Sequence, residues 1–182
     1  GVLQITSQQK KAASDIITKL SNSEATPNLD NSNSLLFVPD TPPFTNAIDF
    51  SADVFLETND EIIAIELKSV KPNSGEMRGE KQKILEGKAA LYRHYPGKDI
   101  KFYIGFPFDP TTDPNDPTSY DKVRFTASII NMDKYFDHRE VLLASELWDY
   151  LSGDTSTMEQ ILSIINSIAC LLYTSPSPRD RS

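Results

Sequence analysis

Two apolar stretches joined by a turn constrain this chain more than any other feature of its 182 residues. Residues 54–56 and 62–65 consist of β-branched and other apolar side chains, and an Asn-Asp dipeptide at 59–60 lies between them. This pattern predicts a β-hairpin, because such dipeptides form tight turns between strands. A two-residue turn fixes the register of the pairing, so Val54 is expected opposite Ile65.

The same register brings charged residues together at the open end of the hairpin. One further step along both strands places Asp53 opposite Glu66. Cross-strand partners have Cβ atoms roughly 4.5–5.5 Å apart and point to the same face. Lys68 follows Glu66 by two residues, so strand alternation places it on that face too. The hairpin is therefore expected to gather two carboxylates and one ammonium.

This group has the composition of a metal-dependent hydrolytic site. Adjacent carboxylates repel each other unless a positive group lies between them, and Mg²⁺ binds oxygen ligands. We therefore expect the carboxylates of Asp53 and Glu66 and the carbonyl of Leu67 to bind Mg²⁺. With Lys68, the two acids become candidate catalytic residues for phosphodiester hydrolysis. The alternative is a charged strand end that faces solvent, because Glu-x-Lys is common by chance.

Two roles are open for Lys68. A neutral lysine could take a proton from an attacking water, whereas a charged one could orient water and stabilise the phosphate in the transition state. Burial and a neighbouring cation would lower the pKa of Lys68, and the two carboxylates would raise it. The sequence leaves the sign of the net shift open.

The charge of the chain is unevenly distributed. The net charge is −8, but residues 68–101 contain nine Lys or Arg and four acids, which makes this segment +5 and the remainder −13. A basic segment on an acidic protein suits an enzyme that meets nucleic-acid phosphates. The candidate DNA-binding residues are Lys71, Arg78, Lys81 and Lys83. A helix of mixed charge exposed to solvent is the alternative.

The rest of the chain predicts an α/β protein with a mixed sheet flanked by helices. Helices are expected at 7–20, 74–95, 122–130, 146–151 and 155–169, and further strands at 35–38, 99–106 and 141–144. Strand, helix and strand from 61 to 106 form a crossover unit. The proline-rich stretch 107–120 is expected to be a loop; it is long enough to have a function, but a plain solvent loop is the favoured interpretation.

The C-terminal residues have a different character from the rest. Residues 170–180 read CLLYTSPSPRD, a string that one reading frame of a common sequencing adapter encodes. We expect residues 1–169 to form a single domain, truncated at both ends, and 170–182 to be read-through that is not native. A genuine Ser/Pro-rich tail is the alternative. The single cysteine lies in this string.

The string IELKSVKPNSGEMRGEKQKILEGKAAL, with FYIGFPFDP, residues 120–122 and LLASELWDYLSG, resembles the TdeIII family of type II restriction endonucleases. The resemblance covers residues 44–169 and implies a PD-(D/E)xK nuclease fold. It also implies Mg²⁺-dependent cleavage of double-stranded DNA by a homodimer at a palindromic site, beside a cognate DNA methyltransferase. It assigns the catalytic roles to Asp53, Glu66 and Lys68. Because Ala52 replaces the family's proline, Asp49 is a rival first carboxylate.

Two other functions fit these residues. One is a repair or exonuclease-type nuclease without base readout, and the other is a non-catalytic DNA-binding module on a decayed nuclease fold. The Gln-x-x-x-Tyr motif of exonuclease relatives is absent, because Gln82 is followed by Glu86. No apolar run is long enough to span a bilayer. A cytoplasmic, prokaryotic protein is therefore expected.

Overall fold

A four-stranded mixed sheet organises the computed structural model, which describes residues 2–68, 76–154 and 156–174. The elements in chain order are β1 (Gln4–Thr6), α1 (Ser7–Ser21), α2 (Leu29–Leu36), β2 (Phe44–Asn46), β3 (Val54–Glu57), β4 (Glu61–Leu67), α3 (Glu76–His94), β5 (Asp99–Phe106), α4 (Lys122–Ala127), α5 (Met132–Tyr135), a 3-10 helix (His138–Glu140), β6 (Val141–Leu143), α6 (Ser145–Ser152) and α7 (Thr157–Thr174). The strand order is β3-β4-β5-β6, and β1 pairs with β2 apart from it. The predicted α/β class is confirmed.

Strand β4 has neighbours of both orientations. It pairs antiparallel with β3 and parallel with β5, and β5 pairs parallel with β6. Helix α3 makes the crossover between β4 and β5, as the sequence predicts. The predicted hairpin register is also confirmed, since Val54 lies opposite Ile65 and Phe55 opposite Ala64. The carboxyl ends of β4, β5 and β6 therefore share one edge of the sheet.

The two faces of β4 pack against different helices. Ile62 and Ala64 belong to the main core, which also contains buried side chains of α1 and α3. Ile63 and Ile65 lie on the other face, where they pack with Leu147 of α6. Four consecutive buried residues in β4 are expected for a strand covered on both sides. Charged residues at the end of β4 are therefore held by a strand that is fixed on both faces.

The N-terminal region differs from the prediction. The strand predicted at 35–38 is wrong, because residues Leu29–Leu36 form helix α2 within what was expected to be a loop. The side chain of Asn28 accepts a hydrogen bond from Asn31 N at 2.9 Å and caps this helix. An Asn cap satisfies a free amide of the first turn, which favours a helix over an extended chain. Leu36 is buried and Leu35 is exposed, so one side of α2 packs inward.

The loop after β5 is held by a buried carboxylate. Asp109 Oδ1 accepts from Thr111 N at 2.8 Å, and Asp109 Oδ2 accepts from Asp121 N at 3.1 Å. Ser145 Oγ donates to Thr118 O at 2.8 Å and ties the loop to α6. The predicted loop is thus confirmed as an irregular segment. It leaves the sheet at the edge where β4 also ends.

The boundary predicted between the domain, which ends at residue 169, and the read-through tail, which begins at residue 170, falls inside α7. The backbone of this helix continues to Thr174, and residues 175–182 lie outside the described residues. Within the described ranges, no helix is both long enough and apolar enough to cross a membrane.

Charged residues are buried inside the core between α3 and the 3-10 helix. Lys81, Lys88 and Glu140 are each 1% exposed. Lys81 Nζ donates to both oxygens of Glu140 at 2.7 Å, while Lys88 Nζ lies 3.8 Å from Glu140 and donates to Asn33 Oδ1 at 3.0 Å. Burial lowers the pKa of Lys88 to about 8, despite the opposing charge of Glu140. One carboxylate thus serves two buried ammonium groups.

We predict that Glu140→Gln destabilises the fold far more than Lys88→Met. Glutamine would leave Lys81 and Lys88 without a buried counter-charge, and breaking a buried pair costs about 3–5 kcal/mol. Methionine at position 88 leaves the Lys81–Glu140 pair intact and removes a cation whose burial already lowers its pKa. Urea unfolding at pH 7 measures both losses. Equal losses of unfolding free energy in the two variants would show that Glu140 is not the group that stabilises the two buried lysines.

Candidate active site

The first predicted carboxylate lies at the open end of the hairpin, just before β3. Asp53 N donates to Ile65 O at 2.9 Å, one residue short of the Glu66 partner that a continued register would give it, and the β3–β4 pairing itself ends at Val54 and Ile65. Asp53 Oδ2 accepts from Leu67 N at 2.7 Å. The N–H and C=O of a strand residue face the same neighbour. The Leu67 carbonyl is therefore on the side of the strand that faces Asp53.

Lys68 lies on the same side as Glu66, where alternation places it. Lys68 N donates to Gly105 O at 2.8 Å, which holds the residue in line with the parallel β4–β5 pairing. Lys68 Nζ lies 3.6 Å from Glu66 Oε1. Ser51 Oγ donates to Glu66 Oε2 at 3.4 Å. The hairpin and the crossover together thus gather Asp53, Glu66 and Lys68 at one end of the sheet.

Glu80 is a third carboxylate of the site, and the sequence reasoning missed it. Lys68 Nζ donates to Glu80 Oε1 at 3.0 Å, and Lys83 Nζ lies 3.7 Å from the same oxygen. Glu80 lies in α3 and is 8% exposed. It is three residues after Met77 and four before Ile84, both buried, so it falls on the apolar stripe of the helix. An acid on such a stripe is the signal that could have identified it.

The charges around Lys68 give the sign of its pKa shift. Burial lowers the pKa of Lys68, but the hydrogen bond and charge of Glu80 and the charge of Glu66 raise it. The net result is a pKa above the ordinary lysine value. Lys68 is therefore an ammonium at neutral pH in this arrangement. The sequence could not give this sign, because it did not reveal Glu80.

Asp49 lies apart from this group. It precedes the β3–β4 ladder and lines a surface pocket with Phe55, His94 and Tyr95. His94 ends α3, fourteen residues after Glu80, which is about 21 Å along a helix axis at roughly 1.5 Å per residue. Among the described residues, no hydrogen bond or ion pair joins Asp49 to Glu66 or Lys68. The arrangement favours Asp53 over Asp49 as the first carboxylate.

The predicted DNA-binding residues have different surroundings. Lys81 is buried against Glu140, so its ammonium does not reach the surface. The prediction that Lys81 contacts DNA phosphate is therefore wrong. Arg78 is exposed and its Nε donates to Ser21 Oγ at 3.2 Å. Lys83 is exposed and adjoins Glu80 at the site. Lys71 lies outside the described residues.

The basic segment is also less basic at the surface than its sequence indicates. Lys88 is buried with Lys81, so two of the nine cations lie inside the core. Three more are paired with acids from other parts of the chain: Arg93 with Asp40, Lys98 with Glu57 and Lys101 with Glu61. The charge of +5 is therefore largely compensated by tertiary contacts. In the part of this segment that the structure describes, 68 and 76–101, the cations do not form a continuous basic face.

The oxygen atoms at the site suit a divalent cation. Two carboxylates and a main-chain carbonyl are ligands that Mg²⁺ accepts, with waters completing the shell. Of the hydrogen bonds among described residues, none occupies Oδ1 of Asp53. In the same part of the chain, no cluster of three or more His, Cys, Asp or Glu side chains is arranged to hold a metal ion.

A mixed sheet flanked by helices, with Asp and Glu-x-Lys at the end of paired strands, defines the restriction-endonuclease-like class of folds. Residues 2–169 match the family model described as HinfI, a type II restriction endonuclease, and the chain belongs to this family. The type II class implied by the resemblance to TdeIII is thus supported, whereas the TdeIII assignment itself is not confirmed.

A curated relative agrees with the family. The chain is 51% identical over 158 residues to the type II restriction enzyme MjaII of Methanocaldococcus jannaschii. The match covers 86% of this chain and 43% of the relative, so the chain spans less than half of that protein's length. No solved structure matches the chain.

We predict that Asp53→Asn weakens binding of Mg²⁺ by the protein, whereas Asp49→Asn does not. Asparagine keeps the size of the side chain but removes the charge that neighbours Glu66, and a carboxylate is the stronger ligand for Mg²⁺. Titration calorimetry of the metal-free proteins measures both affinities. Loss of binding in Asp49→Asn, with wild-type binding in Asp53→Asn, would move the site to Asp49.

Proposed function

We propose that this chain is the catalytic part of a type II restriction endonuclease that hydrolyses phosphodiester bonds in double-stranded DNA with Mg²⁺. The observation that carries the proposal is the contact of the Asp53 carboxylate with the N–H of Leu67, the residue between Glu66 and Lys68, in a member of the HinfI family. Family membership favours a site-specific endonuclease over an exonuclease or a binding module. Residues 2–169 are proposed as its nuclease domain.

Each residue of the site has a proposed part in the reaction. Asp53, Glu66 and the Leu67 carbonyl would hold Mg²⁺, which when bound polarises the scissile phosphate. The Leu67 N–H fixes the orientation of the Asp53 carboxylate through its hydrogen bond. Lys68 would donate hydrogen bonds from its ammonium to the attacking water or to a phosphate oxygen, where negative charge develops in the transition state.

The partners follow from the same proposal. Double-stranded DNA is the substrate, and a homodimer would cut both strands of a palindromic site. A cognate DNA methyltransferase would protect the host's own copies of that site in a prokaryotic cytoplasm. Lys83, Arg78 and Lys71 are the proposed phosphate contacts, and Lys83 adjoins Glu80 beside the catalytic group.

We predict that the protein cuts plasmid DNA into discrete fragments only when Mg²⁺ is added, and that Lys68→Ala cuts far more slowly. Loss of one hydrogen-bond donor to charge that develops in the transition state typically costs about 10²–10³-fold. The loss should appear in the single-turnover rate and not in DNA affinity, because the ammonium acts mainly in the transition state. Laddered or smeared products would instead indicate a nuclease without site specificity.

The variant Lys68→Arg separates the two roles of this residue. Arginine keeps the positive charge but cannot accept a proton from water at ordinary pH. If the positive charge at position 68 is what accelerates cleavage, Lys68→Arg should retain more activity than Lys68→Ala. Near-normal single-turnover cleavage by Lys68→Ala, with saturating Mg²⁺, would remove Lys68 from the catalytic set.

We predict that Lys83→Ala lowers the salt dependence of DNA binding, measured with Ca²⁺ in place of Mg²⁺ to prevent cleavage. Each lost phosphate contact reduces the slope of log K against log salt by roughly one unit. Lys101→Ala is the matched control, because Lys101 pairs with Glu61 at the opposite end of β4. An unchanged slope for Lys83→Ala would make this lysine a solvent-facing residue only.

A further inference from the structure

The carboxylate of Glu80 has no part in the proposed chemistry, yet it lies against the catalytic lysine. Glu80 occupies the second turn of α3 on the stripe that contains Met77 and Ile84, where an apolar side chain would pack. A buried carboxylate is costly unless it is paired. Its partners among the described residues are Lys68 and Lys83. Lys83 is exposed, so the pairing with Lys68 is the better shielded of the two.

The distances show which acid directs the ammonium of Lys68. The separation of 3.0 Å from Glu80 Oε1 is a hydrogen bond, whereas 3.6 Å from Glu66 Oε1 is too long for one. A lysine side chain has several rotatable bonds and a compact charge, so it adopts one position only where a partner holds it. Glu80 supplies that partner from a helix packed on the sheet, which makes the support rigid.

We propose that Glu80 is a positioning residue that holds the Lys68 ammonium beside Asp53 and Glu66. The proposal rests on the proposed function of this site. A cation held by Asp53 and Glu66 repels the ammonium, and Glu80 offsets that repulsion from the opposite side. Without Glu80, Lys68 would turn away toward solvent, and its contribution to catalysis would be lost while the two metal-binding carboxylates remained in place.

The first test compares single-turnover cleavage by Glu80→Ala, Glu80→Gln and the wild type at saturating Mg²⁺. Residues that support catalytic groups typically contribute about 10–100-fold to activity. We expect Glu80→Ala to lose that much with unchanged DNA affinity in Ca²⁺, and Glu80→Gln, which keeps an acceptor oxygen, to lose less. Glu57→Gln, at an exposed acid that pairs with Lys98 near the turn of the hairpin, is the control and should match the wild type. A wild-type rate in both Glu80 variants would overturn the proposal.

A double variant distinguishes action through Lys68 from a direct role. If Glu80 acts only by holding Lys68, adding Glu80→Ala to Lys68→Ala should cause no further loss of rate. Changes that act through one shared group are not additive. If the double variant loses the full product of the two separate factors, then Glu80 acts on its own and the proposal is wrong.

A third measurement needs no metal and no cleavage. Acylation of the Lys68 amine in the metal-free protein can be followed by mass spectrometry of the digested chain. We expect faster acylation of Lys68 in Glu80→Ala, because its ammonium is released from the hydrogen bond, and no change in Glu57→Gln. Unchanged acylation in Glu80→Ala would overturn the positioning role. Because this arm is independent of cleavage, it distinguishes failure of the positioning role from failure of the nuclease proposal.

Discussion

The position of strand β4 between an antiparallel and a parallel neighbour is the constraint on which the site depends. The antiparallel pairing with β3 brings the Asp53 carboxylate against Leu67 N, and the parallel pairing with β5 holds Lys68 through Gly105. Both faces of β4 are buried, so a shift of register by one residue would expose apolar side chains and bury the charged ones. The stability of the sheet and the geometry of the site therefore have the same origin.

The lysines in the core and at the site are paired with carboxylates. The buried Lys81 and Lys88 share Glu140 in the core, and Lys68 lies between Glu66 and Glu80 at the sheet edge. Both groups are joined to α3, which contributes the interior lysines and Glu80. The helix therefore has two functions: it closes the crossover between parallel strands, and it supplies charged groups to both the core and the site. Membership of the HinfI family gives the second group its proposed catalytic meaning.

Local patterns were predicted well where short-range chemistry determines them. The hairpin register follows from a two-residue turn, and α3 and β5 follow from apolar periodicity. The four consecutive apolar residues at 35–38 predict a strand, although such a run is ambiguous between helix and strand. In the structure, Asn28 caps a helix that includes the first two of these residues. β1 (QIT) and β2 (FTN) lack the continuous apolar run that predicts β6 (VLL), a strand of the same length.

The sequence by itself determined that Asp53 approaches the end of β4, because that approach depends only on a turn and on the pairing of two adjacent strands. Only the tertiary structure decided which charges are available to a substrate. Lys81 and Lys83 are two residues apart on α3, yet one is buried on Glu140 and the other is exposed beside Glu80. Such outcomes depend on which distant element packs against each side of a helix, and a linear pattern of charges does not contain that information.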